Sequence, residues 1–88
     1  MNKNLNYLIV GLGLMGGSVG KMLSSKGFNV YGYDINQDSI NYGYQNGLIK
    51  NNQIDDQLIK DADVLNQYIN QKDAIFTKEY NKRLEKLL

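Results

Sequence analysis

Along the chain, apolar and polar positions fall into successive regimes. Residues 7–10, "YLIV", form an unbroken apolar run closed by Gly11. That is the pattern of a strand buried on both faces of a parallel sheet. Met15, Val19, Met22 and Leu23 then recur at helical spacing, which predicts a helix from residue 15 to about 26. Gly27 stands where a helix C-terminus favours a left-handed residue. "NVYGY" mixes β-branched and aromatic residues and predicts a second strand over 29–33. Asp34 ends it. Asn36 or Asp38 can cap a second helix, which runs to about residue 46 and stops at Gly47. Strand, helix, strand, helix in this order implies a parallel pair with a right-handed crossover.

Beyond Leu48 the pattern changes. "KNNQIDDQLIKDAD" is polar, and Ile54, Leu58 and Ile59 support no more than a short helix. From residue 65 the apolar positions are Leu65, Tyr68, Ile69, Ile75, Phe76, Tyr80, Leu84, Leu87 and Leu88. Their spacing predicts one or two amphipathic helices, with a break near Asp73 or Thr77, either of which can cap. The stripe of Leu65, Tyr68, Ile69, Phe76, Tyr80, Leu84 and Leu87 is expected to be buried against the sheet or a second copy. No strand is expected after Val64. The sheet is then two-stranded, and the free edge at residues 8–10 is an association hazard, so a homodimer is a candidate assembly.

Composition narrows the chemistry. With 88 residues the chain can form one small domain with a thin core. A net charge of +1 gives no nucleic-acid footprint, and no apolar run is long enough to span a bilayer. There is no cysteine and no histidine, which removes thiolate chemistry, the commonest metal ligand and the commonest general base. The N-terminal apolar run is too short for a signal peptide, so a cytoplasmic location is the expectation. Asp55, Asp56, Asp61 and Asp63, and the basic tail of Lys78, Lys82, Arg83 and Lys86, read as solvated faces.

Gly11, Gly13 and Gly16 spell G-x-G-x-x-G between the first strand and its helix. In that context each glycine has a physical task. Gly11 makes the tight turn, Gly13 lets a pyrophosphate approach the backbone, and Gly16 brings helix and strand close together. The helix N-terminus offers N–H groups and a positive dipole end to the phosphates. Leu12, Leu14 and Met15 complete the loop, and Ser18 can reach a phosphate or serve the helix. Asp34, at the end of the second strand, can accept hydrogen bonds from the ribose hydroxyls and would repel a 2′-phosphate, favouring NAD over NADP. The alternative is a glycine-rich turn beside an ordinary capping aspartate. Tyr31 and Tyr33 read as sheet packing, and Gly20 as close helix packing. The expected fold is α/β, a partial Rossmann-like parallel β-α-β-α unit. Residues 1–64 form a truncated NAD-binding segment, and 65–88 a helical tail of the same domain.

"IVGLGLMGGS", "GFNVYGYDINQDSI", "GLI" and "KDADV" together resemble the N-terminal part of prephenate/arogenate dehydrogenases over about residues 8–64. The Gly16-Gly17-Ser18 step and the Tyr31-Gly32-Tyr33-Asp34 strand end carry the resemblance. β-Hydroxyacid dehydrogenases share the G-L-G-x-M-G pattern. The resemblance implies oxidative decarboxylation with hydride transfer to NAD or NADP, a cofactor seated on the matched segment, and substrate-handling histidine and arginines in later segments. This chain has no histidine, so catalysis by the chain alone is not expected. A stand-alone nucleotide-binding module and a non-catalytic interaction protein stay open as alternatives.

Overall fold

Both faces of β1 (Asn6–Val10) carry apolar side chains, and the strand lies in the middle of the sheet. The computed structural model describes residues 5–69 and 73–87, the side chains of Leu14 and Met15 excepted. α1 (Leu14–Ser25) follows β1, then β2 (Asn29–Tyr33), α2 (Gln37–Gln45), the short α3 (Gln57–Asp61), β3 (Val64–Gln67) and α4 (Ala74–Leu87). The strand order is β2-β1-β3, all parallel, with Leu8 opposite Tyr31 on one side and Leu65 on the other.

Alternation along β1 divides the core into two layers. Tyr7 and Ile9 join Leu23, Phe28, Val30, Ile40 and Ile49 on the face covered by α1 and α2. Leu8 and Val10 join Tyr33, Phe76 and Tyr80 on the opposite face, which α3 and α4 cover. Tyr33 packs edge-on against Tyr80, with ring centroids 5.8 Å apart. This is a partial Rossmann-like α/β unit with a C-terminal helix. The helix ends follow the sequence reading. Asn36 caps α2 by accepting the Asp38 N–H, and Gly27 and Gly47 take positive φ after α1 and α2.

The expected two-stranded sheet is corrected by β3. Its four residues pair with the edge of β1 that the sequence left open, so residues 8–10 are not an exposed edge. Asp63 clips the start of this pairing. Its N–H donates to the Asn6 carbonyl at 2.9 Å, and its carboxylate accepts the Asn6 N–H at 2.7 Å. At the far end, the Tyr68 N–H donates to the Val10 carbonyl at 2.7 Å. The helix expected from Leu65 therefore begins only at Ala74, capped by Asp73, whose carboxylate accepts the Phe76 N–H at 2.9 Å. Within the expected stripe, Phe76 and Tyr80 are buried and Leu84 packs against them, but Leu65 is exposed. Ile75, another apolar position of the tail, is exposed as well. Leu88 lies outside the described residues.

The outer edge of β2 is closed without another strand. Lys50 donates its N–H to the Val30 carbonyl at 2.9 Å. The Asn51 side-chain amide then accepts the Gly32 N–H and donates to the Gly32 carbonyl, each at 2.8 Å. One side chain thus satisfies both polar groups of a strand residue, as a neighbouring backbone would.

Candidate functional site

The chain passes from β1 to β2 on one side and reaches β3 on the other, so strand order reverses at β1. In open α/β sheets, ligands bind outside the carboxyl ends of strands at such a switch point. A cleft of about 450 Å³ lies there, lined by Gly11, Gly13, Asp34, Asn36, Tyr68 and Phe76 among others.

The glycines divide by what an added methyl group would meet. Gly11 has φ +92°, a conformation that other residues rarely adopt. Its Cβ would also lie 2.9 Å from the Tyr68 carbonyl carbon, so the turn must pass close under the end of β3. At Gly16 a Cβ would lie 1.9 Å from the Gly11 carbonyl oxygen and 3.3 Å from Ile9 Cγ2. That contact locks α1 onto β1. Gly13 differs from both, since nothing lies within 4 Å of its absent Cβ. No packing demand within the fold explains a glycine there. Gly13 is the N-cap residue of α1, its carbonyl accepts the Gly17 N–H at 2.8 Å, and as a glycine it brings no side chain to cap the helix. The first-turn N–H groups, which have no partner within the helix, and the positive dipole end point outward at this position.

Asp34 is buried, 7% exposed, at the carboxyl end of β2. One carboxylate oxygen accepts the Leu12 N–H at 3.0 Å and the other accepts the Asn36 N–H at 2.9 Å. The carboxylate straps the glycine turn to the β2–α2 turn and lines the cleft. Each oxygen keeps acceptor capacity beyond these bonds. Among the described residues lining the cleft there is no lysine or arginine.

The other sequence-derived candidates separate. The Leu12 side chain packs on the first core layer, against the bare backbone of Gly32, where a Cβ would lie 2.8 Å from Leu12 Cδ1. Leu14 and Met15 open α1, and their side chains lie outside the described residues. Ser18 lines a second recess of about 500 Å³ between α1 and α2, with Gly13, Lys21 and Tyr42. Tyr33 is fully buried and Tyr31 partly so, both on the α4 layer, as sheet packing requires.

Sequence reasoning missed the cleft wall formed by Tyr68, Ile69 and the first turn of α4. Its one available signal was Asp73 as a cap, which marks where α4 starts. No group of three or more acidic, histidine or cysteine side chains that could hold a metal occurs among the described residues. No helix among them is long and apolar enough to cross a membrane.

The residues present fit the adenosine diphosphate part of a dinucleotide. Gly13 leaves the room that a Cβ would fill, α1 supplies the N–H groups, and Asp34 supplies an acceptor across the cleft. A family model described as the NAD binding domain of 6-phosphogluconate dehydrogenase matches residues 6–82. No curated protein and no solved structure matches the chain.

Proposed function

The chain belongs to the family of the NAD binding domain of 6-phosphogluconate dehydrogenase, and on that footing we propose that it binds NAD in the cleft at the carboxyl ends of the strands. The observation that carries this reading is Gly13, a glycine with empty space around its absent Cβ at the uncapped start of α1. Gly11 and Gly13 would pass the pyrophosphate, the first turn of α1 would donate to it, and Asp34 would accept from the adenosine ribose hydroxyls. When bound, the dinucleotide supplies a hydride acceptor. The chain's own residues bind and orient it.

Asp34 favours NAD over NADP, because a 2′-phosphate would meet a carboxylate with no described cation beside it. The family match is of hydroxyacid dehydrogenase type. Within that type, the Gly16-Gly17-Ser18 step and the strand end at Tyr31-Gly32-Tyr33-Asp34 support the finer reading of a prephenate/arogenate dehydrogenase cofactor segment. A β-hydroxyacid dehydrogenase segment is the second reading, supported by the family match itself.

Titration of the protein with NADH and NADPH, followed by nicotinamide fluorescence, tests the site. NADH is expected to bind more tightly than NADPH. Asp34→Arg should weaken NADH and shift the preference toward NADPH. Equal affinity for the two cofactors, unchanged by Asp34→Arg, overturns the assignment of Asp34. Absence of NADH binding overturns the site.

A further inference from the structure

On the sheet face away from α1 and α2, three polar side chains from distant parts of the sequence meet. The Tyr33 hydroxyl donates to Asp56 Oδ1 at 2.8 Å. Arg83 Nη1 donates to the Tyr33 hydroxyl oxygen at 2.9 Å and to Asp56 Oδ1 at 3.0 Å. The guanidinium carbon stands 5.9 Å from the centre of the Tyr33 ring. The sequence reading placed Asp56 and Arg83 on solvated faces; both stay partly exposed, but the fold adds bonds to Tyr33 and to each other that the reading did not foresee. A tyrosine buried under a helix needs partners for its hydroxyl, and Asp56 and Arg83 provide an acceptor and a donor.

The network touches both walls of the cofactor cleft at one remove. Tyr33 immediately precedes Asp34 on β2. Arg83 lies on α4, on the same face as Phe76 and Tyr80, at steps of four and three residues. Phe76, in the first turn of that helix, lines the cleft. Tyr33 thus adjoins one wall, Arg83 shares its helix with the other, and Asp56, just before α3, joins them. The ion pair itself is partly exposed, at 32% for the Arg83 side chain and 40% for Asp56. Such pairs contribute little to global stability. What a two-way bond from one guanidinium does supply is a fixed geometry.

We propose that Arg83 is a positioning residue for the cofactor cleft, holding the first turn of α4 at a set distance from the carboxyl end of β2 through its joint bond to Tyr33 and Asp56. This rests on the reading of the cleft as the dinucleotide site. Without the clamp, α4 stays attached by Phe76 and Tyr80, but it loses the tie that fixes its tilt against the carboxyl end of β2, and its first turn opens more readily.

The test uses the full chain and its variants Arg83→Gln, Arg83→Lys and Asp56→Asn, at a temperature where circular dichroism shows each folded. NADH affinity is measured by titration, and amide hydrogen exchange is followed at Phe76 and Thr77 in the ligand-free protein. Arg83→Gln is expected to weaken NADH by on the order of tenfold and to raise exchange at both amides. Arg83→Lys should recover part of the affinity, because its ammonium still reaches Asp56. Asp56→Asn should act in the same direction as Arg83→Gln, and combining the two should cost no more than either alone. Wild-type NADH affinity and wild-type exchange in Arg83→Gln, with only a lower melting temperature, would show a purely structural role and overturn the proposal. If the unaltered chain binds no NADH, the cofactor reading falls, and exchange at Phe76 and Thr77 decides the clamp. Raised exchange supports it, and unchanged exchange overturns it.

Discussion

A methyl group's worth of space separates Gly13 from Gly16. At Gly16 a Cβ has no place, since the Gly11 carbonyl oxygen would be 1.9 Å away. At Gly13 the same atom meets nothing within 4 Å, so packing within the fold sets no demand for a glycine there. Gly16→Ala is therefore expected to cost about 3 kcal/mol of folding stability or more. Gly13→Val should change stability by less than about 1 kcal/mol while abolishing NADH binding. Urea unfolding and NADH titration of the two variants check this, and a Gly13→Val protein that still binds NADH contradicts it. The Tyr33–Asp56–Arg83 network gives a second residue-scale outcome. Burial raises the Asp56 carboxyl, but bonds from Tyr33 and Arg83, with the charges of Arg83 and Lys86, outweigh that and hold it below its ordinary value. Burial, then the Asp56 carboxylate, push the Tyr33 hydroxyl up to about 12 against the pull of Arg83. A carboxyl with a lowered folded pKa adds stability above its unfolded value and loses it as pH falls through the folded one. A phenol with a raised folded pKa adds stability below its unfolded value and loses it as pH rises toward the folded one. Stability should thus fall below about pH 4 and again above about pH 10. Tyr33→Phe should reduce the alkaline loss without removing it, because burial also raises Tyr80, against its bond with Gln67. An alkaline limb unchanged in Tyr33→Phe, measured by urea unfolding across pH, rules out this role for Tyr33.

Among the elements, α4 and β3 decide whether the sheet can exist in water. α4 shares with α3 the cover of Leu8, Val10 and Tyr33, and it anchors there through Phe76 and Tyr80, which are 5% and 2% exposed. Phe76→Ala is expected to cost about 3–5 kcal/mol. Small domains are stable by only about 5–15 kcal/mol, so a large share of the stability is lost, and the melting temperature by far-ultraviolet circular dichroism should fall by more than about 10 °C. A cooperative melt within a few degrees of the parent would show that α4 is not part of the cover. β3 was hidden in the sequence because it is an edge strand. It pairs on one side only, and its exposed positions are Leu65 and Gln67, with Asn66 partly buried between them. No apolar run forms under those conditions, and Leu65, Tyr68 and Ile69 imitate helical spacing. α4 was legible because an amphipathic helix repeats its pattern over several turns. Its start was legible because Asp73 caps it.

At the scale of the whole molecule, one sheet is covered on both faces, and its carboxyl edge opens into a cleft suited to one half of a dinucleotide. Hydride transfer also needs a substrate held against the nicotinamide and a group to accept its proton. The sequence contains no histidine. Asp56 and Arg83 are engaged with each other, Asp63 holds the Asn6 N–H, and Asp73 holds the Phe76 N–H. The 88-residue chain by itself is expected to produce no NADH from prephenate or arogenate above a control without protein. Turnover that disappears in Gly13→Val would refute this. What the sequence by itself determined is local. An apolar run meets a glycine turn, a helix follows at once, and an acid ends the second strand. Each follows from bonds and sterics within a few residues, so β1, α1, β2 and α2 could be read before any fold was known, and Gly11, Gly13, Gly16 and Asp34 could be singled out. Tertiary structure alone decided that β3 closes the edge of β1, and that Asn51 closes the edge of β2. It also decided that Tyr68 and Phe76 wall the cleft, and that Asp56 and Arg83, still partly exposed, turn to the Tyr33 hydroxyl. These contacts join residues far apart in the chain. Pairing partners and buried hydroxyls are set by what the sheet brings together, and no periodicity in the sequence records that.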